Sequence, residues 1–258
     1  MQKSSIDEEI NKFSAMATEW WKKDGKFKIL HAFNHTRMVF IEQCLSSYGQ
    51  ALANPAEVSI LDIGCGGGIL SEALAKKGYN VTGLDASEPS IVQAKAHAIE
   101  QQLNIEYLLA TPEEHLQSSK QYNAVFAMEI IEHVADPKEF VNYIKHFIKP
   151  GGLLFFSTIN RNLKSLVLAK FTAEYILGWL PKKTHDFSKF ITPQELTVLV
   201  EDILVEGTGN KAHNFSQVNL PCYLQEIKGI NFNIINKTWN LSSQPTVNYI
   251  CCFKKNKI

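Results

Sequence analysis

Short apolar runs alternate with helix-spaced apolar residues along most of this chain, and the alternation predicts its architecture. Ile6, Ile10, Phe13, Ala17 and the Trp20-Trp21 pair recur every three or four residues, predicting an amphipathic helix over Ile6–Trp21. A second helix is predicted over Thr36–Leu45. Beyond it, Val58–Ile63, Asn80–Asp85, Ile105–Ala110, Ala124–Met128 and Leu153–Thr158 read as strands. Between them, Ile69–Lys77, Pro89–Gln101 and Lys138–Phe147 read as helices, the last halted by Lys149-Pro150-Gly151-Gly152. Strands alternating with helices predict βαβ units, a parallel sheet and helices on both faces. Later, Thr192–Glu201 predicts a helix with Thr192 as N-cap, Pro193 in first position and Glu195 in third. Ile203–Thr208 and Asn248–Lys254 are strand-like and predict an antiparallel pair closing one edge, joined by a long Asn-rich connection. The expected fold is α/β: a doubly wound, mostly parallel, seven-stranded sheet. Residues 1–50 are expected as a helical cap and 51–258 as the main domain.

Composition narrows the function classes. The chain has 258 residues, with 26 Lys+Arg against 26 Asp+Glu, so no basic footprint for nucleic acid is expected. Only Arg37 and Arg161 are arginines, which draws attention to both. The five cysteines show no zinc-like CxxC spacing and read as reduced thiols. Met1–Glu9 has neither an apolar core nor arginine, and no apolar run reaches the ~20 residues of a membrane span. A cytoplasmic location is therefore expected.

The sharpest local signal is Leu61-Asp62-Ile63-Gly64-Cys65-Gly66-Gly67-Gly68-Ile69, between a predicted strand and a predicted helix. Ligands of open α/β sheets sit beyond the carboxyl ends of the strands. Glycines there admit close backbone approach, and the following helix offers free N–H groups. A dinucleotide fingerprint would need glycine where Ile69 stands. The observed G-x-G-x-G of Gly64, Gly66 and Gly68 suits a carboxylate and a nucleoside better than a pyrophosphate. Asp85, about twenty residues on, can accept both ribose hydroxyls. The plainer alternative is that Asp85 or Ser87 only caps the next helix.

This pattern resembles the class I methyltransferases, which have a Rossmann-like fold and use S-adenosylmethionine. A closer likeness is carried by Trp20-Trp21, Phe27-Lys28-Ile29-Leu30-His31, Asn34, Arg37, the glycine run and Met128-Glu129-Ile130-Ile131-Glu132-His133-Val134. Phe155 to Asn162, Ala173 to Leu177 and Thr184-His185-Asp186 add to it. These segments resemble the ubiquinone-biosynthesis O-methyltransferases from residue 7 to about residue 200. The resemblance implies cofactor contacts at Arg37, Gly64, Asp85 and Met128, to which the loop reading adds Gly66. Arg37 can pair a methionine carboxylate through its planar fork. Met128 falls beside an adenine ring or, alternatively, only packs in the core.

Glu129, Glu132 and His133 directly follow the fourth predicted strand. If a helical turn begins there, positions i, i+3 and i+4 share a face. The resemblance implies that these three hold a divalent metal, Mg²⁺, with His133 and Glu129 catalytic. Alternatively, His133 is a general base without metal, or the acids are simply solvated. The implied substrates are polyprenyl hydroxyphenols and demethylubiquinol.

Leu163–Pro181 is crowded with apolar side chains and flanked by lysines. It reads as an interfacial segment or as a lid, within an insertion spanning 163–187. The expected partners are the polyprenyl substrate, an anionic membrane surface through 163–183, and other ubiquinone-biosynthesis proteins. His185 and Asp186 fall at the substrate mouth or in a surface turn. Two other functions fit: an O-methyltransferase for a small soluble phenol, and a non-catalytic adenosyl-binding component of a biosynthetic assembly. The Asn/Asp-Pro-Pro-Tyr expected of amino-methyltransferases of nucleic acid is absent after the fourth strand, where Met128-Glu129-Ile130-Ile131 stands.

Overall fold

The structure, a computed structural model, describes residues 2–49, 54–162, 165, 189–201, 220–233 and 235–257. Two helices open the chain, α1 (Gln2–Ala15) and α2 (Lys28–Tyr48). The first ends sooner than its periodicity predicts. A 3-10 turn at Ala17–Glu19 redirects the chain, and both tryptophans leave the helix line. The Trp20 Nε1–H donates to Ser90 Oγ and the Trp21 Nε1–H to the Gly67 carbonyl, tying this corner to the glycine loop.

The central units are β1 (Ser59–Ile63), α3 (Ile69–Lys76), β2 (Asn80–Asp85), α4 (Glu88–Glu100), β3 (Glu106–Leu109), α5 (Pro112–His115), β4 (Tyr122–Met128), α6 (Pro137–His146) and β5 (Ile148–Ile159). α7 (Pro193–Glu201), β6 (Cys222–Asn233), β7 (Thr238–Ser242) and β8 (Asn248–Lys255) follow. The sheet runs β3-β2-β1-β4-β5-β8-β6-β7, with β1 to β5 parallel and the last three strands joined antiparallel.

Helices cover both faces, so the inner strands are apolar throughout rather than alternating. All seven residues of β4 are buried. On one face Leu61, Val125, Leu154 and Phe253 meet Val141 and Ile144 of α6 and Leu196 of α7. On the other, Ile60, Phe126, Phe155 and Cys252 meet Phe40 and Ile41 of α2 and Leu74 of α3. Phe126 and Phe155 stack with ring centroids 4.6 Å apart, worth roughly 1 kcal/mol beyond area burial. All five cysteines are buried and unpaired.

The sheet has eight strands, not seven, and the difference lies in the C-terminal connection. That stretch holds β6 and β7. Both edges of β8 are taken, one by β5 and one by β6. The segment 203–208, expected as the partner of β8, lies outside the described residues, as does the insertion at 163–187 apart from Ser165. At the predicted breaker, α6 does end at His146, but Lys149–Gly152 then enters β5. Gly151 at φ +76 and a register shift against β4 between Tyr122 and Ala124 absorb the misfit. The cap of α7 forms as read: Thr192 Oγ1 accepts the Glu195 amide at 3.2 Å, and Glu195 Oε2 accepts the Thr192 amide at 2.8 Å.

Candidate active site

The strand order reverses between β1 and β4, and beyond the carboxyl ends there lies a cavity of about 1150 Å³. Its wall includes Arg37, Gly64, Gly66, Asp85, Met128, Glu129, Glu132 and His133. All the site residues picked from the sequence therefore meet in one place.

Asp85 closes β2. Its Oδ2 accepts the Gly66 amide and its Oδ1 the Ser87 amide, both at 2.8 Å. Each oxygen keeps a lone pair for a further donor, the requirement for gripping two adjacent hydroxyls. Burial raises the Asp85 pKa and the two amides oppose the rise. The helix-capping role belongs to Ser87, whose Oγ accepts the Ser90 amide.

The glycines serve a purpose missed from sequence. Gly66, at φ +52, lies so close under Trp20 that a Cβ would collide with the indole. Gly64, at φ +70, stands likewise under Ile130. The tightest approach to the loop is made by the protein's own side chains.

Arg37 is buried beneath the crevice with its guanidinium 4.2 Å over the Phe33 ring. One Nη donates to Glu129 Oε1 at 2.7 Å, and Nε has no partner among the described residues. A buried unpaired donor is costly, and a carboxylate is the acceptor that suits it. Asp62, which the sequence reading did not single out, is buried on the same wall and accepts Ser71 Oγ at 2.6 Å. Burial lifts its pKa to about 6, with Ser71 and Arg37 pulling the other way. An acid among the apolar residues of β1 was the available signal. Together Arg37 and Asp62 offer a cation and an anion to a zwitterion.

Glu129, Glu132 and His133 are the place where the sequence geometry fails. No α-helical turn begins at Glu129. That residue takes a left-handed φ of +51, a conformation costing roughly 1–2 kcal/mol, and the next turn is a 3-10 turn at Ile131–His133. Positions i, i+3 and i+4 consequently do not share a face. Glu129 turns to Arg37 and also accepts Ser157 Oγ at 2.8 Å. Glu132 points into the protein and accepts Thr158 Oγ1 at 2.8 Å. Among the described residues no three His, Cys, Asp or Glu side chains gather to hold a metal ion. In this arrangement Glu129 is matched to the Arg37 guanidinium, and the expected Mg²⁺ ligands Glu129, Glu132 and His133 do not form a metal-holding cluster.

Burial, with Glu129 nearby, lifts the Glu132 pKa to about 7, and His133 offsets part of the rise. His133 lies on the cavity wall with its ring edge-on to Phe13 at 5.3 Å.

Comparison with known proteins settles the family. The model of a methyltransferase domain matches residues 37–203. A ubiquinone biosynthesis O-methyltransferase of Caulobacter vibrioides is 42% identical over 257 residues, covering 97% of this chain and 95% of the relative. Its namesake in Rickettsia prowazekii is 39% identical, covering 98% of this chain and 92% of the relative. The chain belongs to the ubiquinone biosynthesis O-methyltransferase family. It is an S-adenosylmethionine-dependent O-methyltransferase. Among solved structures, a magnesium protoporphyrin IX methyltransferase from Synechocystis, with S-adenosylmethionine bound, superposes with a TM-score of 0.60. Identity is 15% over 97% of both chains, a likeness of fold alone. The segment 160–186 follows β5, and most of it lies outside the described residues. Among the described residues no helix is long and apolar enough to cross a membrane.

Proposed function

We propose that this protein methylates phenolic and catechol oxygens of polyprenyl intermediates, polyprenyl hydroxyphenol and demethylubiquinol, in ubiquinone biosynthesis. The observation that carries the reading is an adjacent acid and base, buried Glu132 and half-buried His133, on the wall that also carries Arg37, Asp62 and Asp85. In this reading Arg37 Nε holds the methionine carboxylate, Asp62 the ammonium and Asp85 the ribose hydroxyls, with Met128 against the adenine. S-adenosylmethionine, when bound, supplies an electrophilic methyl group on a positively charged sulfur.

A phenol has a pKa near 10, so forming its phenolate at pH 7 costs roughly 4 kcal/mol. His133 takes the phenolic proton. Glu132, with a pKa of about 7, sits at the value where it can help to hold that proton. Glu129 keeps Arg37 oriented. Holding oxygen and methyl in line removes much of the remaining barrier. Glu129 and Glu132 are engaged by Arg37, Ser157 and Thr158, an arrangement that does not fit a divalent ion.

The lysine-flanked segment 163–183 belongs to the same reading as a docking surface for an anionic membrane, placing the enzyme peripherally on the inner membrane, where other ubiquinone-biosynthesis proteins also act. Residues 1–50 serve as a cap over the catalytic domain. The test is transfer of labelled methyl to a short-tailed demethylubiquinol. Label on the quinol oxygen is expected. Protein that binds adenosylhomocysteine but methylates only a tailless catechol would instead be an enzyme for a soluble phenol. Trp179→Glu is expected to weaken co-sedimentation with anionic vesicles, and equal sedimentation of variant and wild type would remove the docking segment from the reading.

A further inference from the structure

The C-terminal hairpin supplies apolar surface for which the reacting centre has no use. β6 runs parallel to β5, so its carboxyl end rises on the crevice side of the sheet. Pairing with β8 stops at Ile230, opposite Asn248, while pairing with β7 continues to Asn233. About three residues, roughly 10 Å, therefore project past the sheet as a bare two-stranded hairpin. Its apolar side chains share one face. Ile230 lies opposite Leu241, and Phe232 opposite Trp239 with ring centroids 5.2 Å apart. Trp239 in turn meets Phe33 of α2 at 5.3 Å, and its carbonyl accepts Thr36 Oγ1, which fixes the hairpin against α2.

Exposure rises from the sheet toward the turn. Ile230 is buried, Phe232 is 46% exposed, and Ile235 in the turn is 95% exposed. Ile230, Phe232, Trp239 and Phe33 all line the cavity, so the gradient is one continuous apolar path from the crevice to solvent. Towards its tip the ribbon leaves Phe232 and Ile235 uncovered, apolar surface that a further apolar group can cover. The cavity, at about 1150 Å³, also exceeds the usual size of a small-molecule site. Between Gly229 and Ser242 the only charged residue is Lys237, which is too little positive charge for an anionic surface.

We propose that the Phe33–Trp239–Phe232 wall of the β6–β7 hairpin binds the first isoprene units of the substrate's polyprenyl tail as it leaves the crevice. The proposal rests on the polyprenyl reading of the substrate. It makes the hairpin a specificity element: the ring is held at Glu132 and His133, and the tail is read at the hairpin.

The full-length protein is assayed in detergent with hydroxyphenols bearing no, one or three isoprene units. For the wild type kcat/KM is expected to rise about tenfold or more with tail length, as each added unit buries apolar surface. Phe232→Ser is expected to flatten the long-to-short ratio at least about fivefold, and Phe232→Leu to restore most of it. Ile235→Asn, at a fully exposed site that cannot threaten folding, is expected to lower the ratio by a smaller factor. A ratio unchanged in Phe232→Ser, or an equal fall on tailless and tailed substrates, overturns the tail site. So does a variant that keeps the ratio but no longer co-sediments with vesicles, because the face would then dock on lipid. A wild type that binds adenosylhomocysteine yet methylates no tailed phenol removes the substrate reading itself. Methylation of all three with an unaltered ratio removes only the hairpin's role.

Discussion

The carboxylates at the ends of β2 and β4 line the same crevice, and they are held in different ways. At the end of β2, Asp85 is clasped by the backbone amides of Gly66 and Ser87. At the end of β4, Glu129 and Glu132 are held by side chains, Arg37 and Ser157 for one and Thr158 for the other. Backbone clasps come from a local loop and tolerate change elsewhere. Side-chain clasps draw on α2 and β5 and exist only when the whole sheet is assembled. The first suits a rigid cofactor grip, the second a proton site whose charge is set by its surroundings.

The hardest test of that contrast is His133→Ala. Turnover is expected to fall by a factor of about 10² to 10⁴ while adenosylhomocysteine affinity, measured by calorimetry, stays within about threefold. A parallel loss of affinity would show that the two ends are one unit.

Glu132→Gln sharpens the electrostatic half. Folding lifts the Glu132 pKa from 4.5 to about 7, so the folded state binds the proton more tightly than the unfolded chain. The resulting stability is fully present below pH 4.5 and is lost as pH rises through about 7. Asp62, lifted to about 6, adds to the same slope. The variant is expected to flatten the fall of the unfolding free energy between pH 5 and 8 by an amount on the order of 3 kcal/mol. A slope identical to wild type would mean that Glu132 is not the buried acid responsible.

Asp85→Asn tests the backbone clasp. An amide must turn its NH₂ toward one of two N–H donors, so affinity for adenosylhomocysteine is expected to drop roughly ten- to a hundredfold. The pH slope of stability should change little by comparison. If the slope changes and the affinity does not, the roles of the two clusters are reversed.

The local half of this site was legible early. Asn80–Asp85 was readable as a strand ending in an acid, and the glycine run as a strand-to-helix turn, because both depend on neighbours in sequence. The same holds for the cap at Thr192. The glycines' purpose was not legible, since Trp20 reaches Gly66 only after a turn at Ala17–Glu19 that periodicity does not encode. Asp62 could have been found, as an acid among apolar strand residues. The hairpin was missed because Asn-rich stretches read as loops, while Ile230, Phe232, Trp239 and Leu241 alternate only across two strands whose pairing is non-local.

Period and punctuation along the chain were enough to determine a doubly wound α/β sheet, the position of its glycine loop and the acid that ends β2. Those features follow from interactions a few residues apart. Only the tertiary structure decided what Glu129 does. A left-handed backbone at that residue and a buried guanidinium contributed by α2 turn it toward Arg37 instead of onto a helical face shared with Glu132 and His133. Helical spacing cannot foresee that outcome, because the partner that redirects the side chain lies ninety-two residues away.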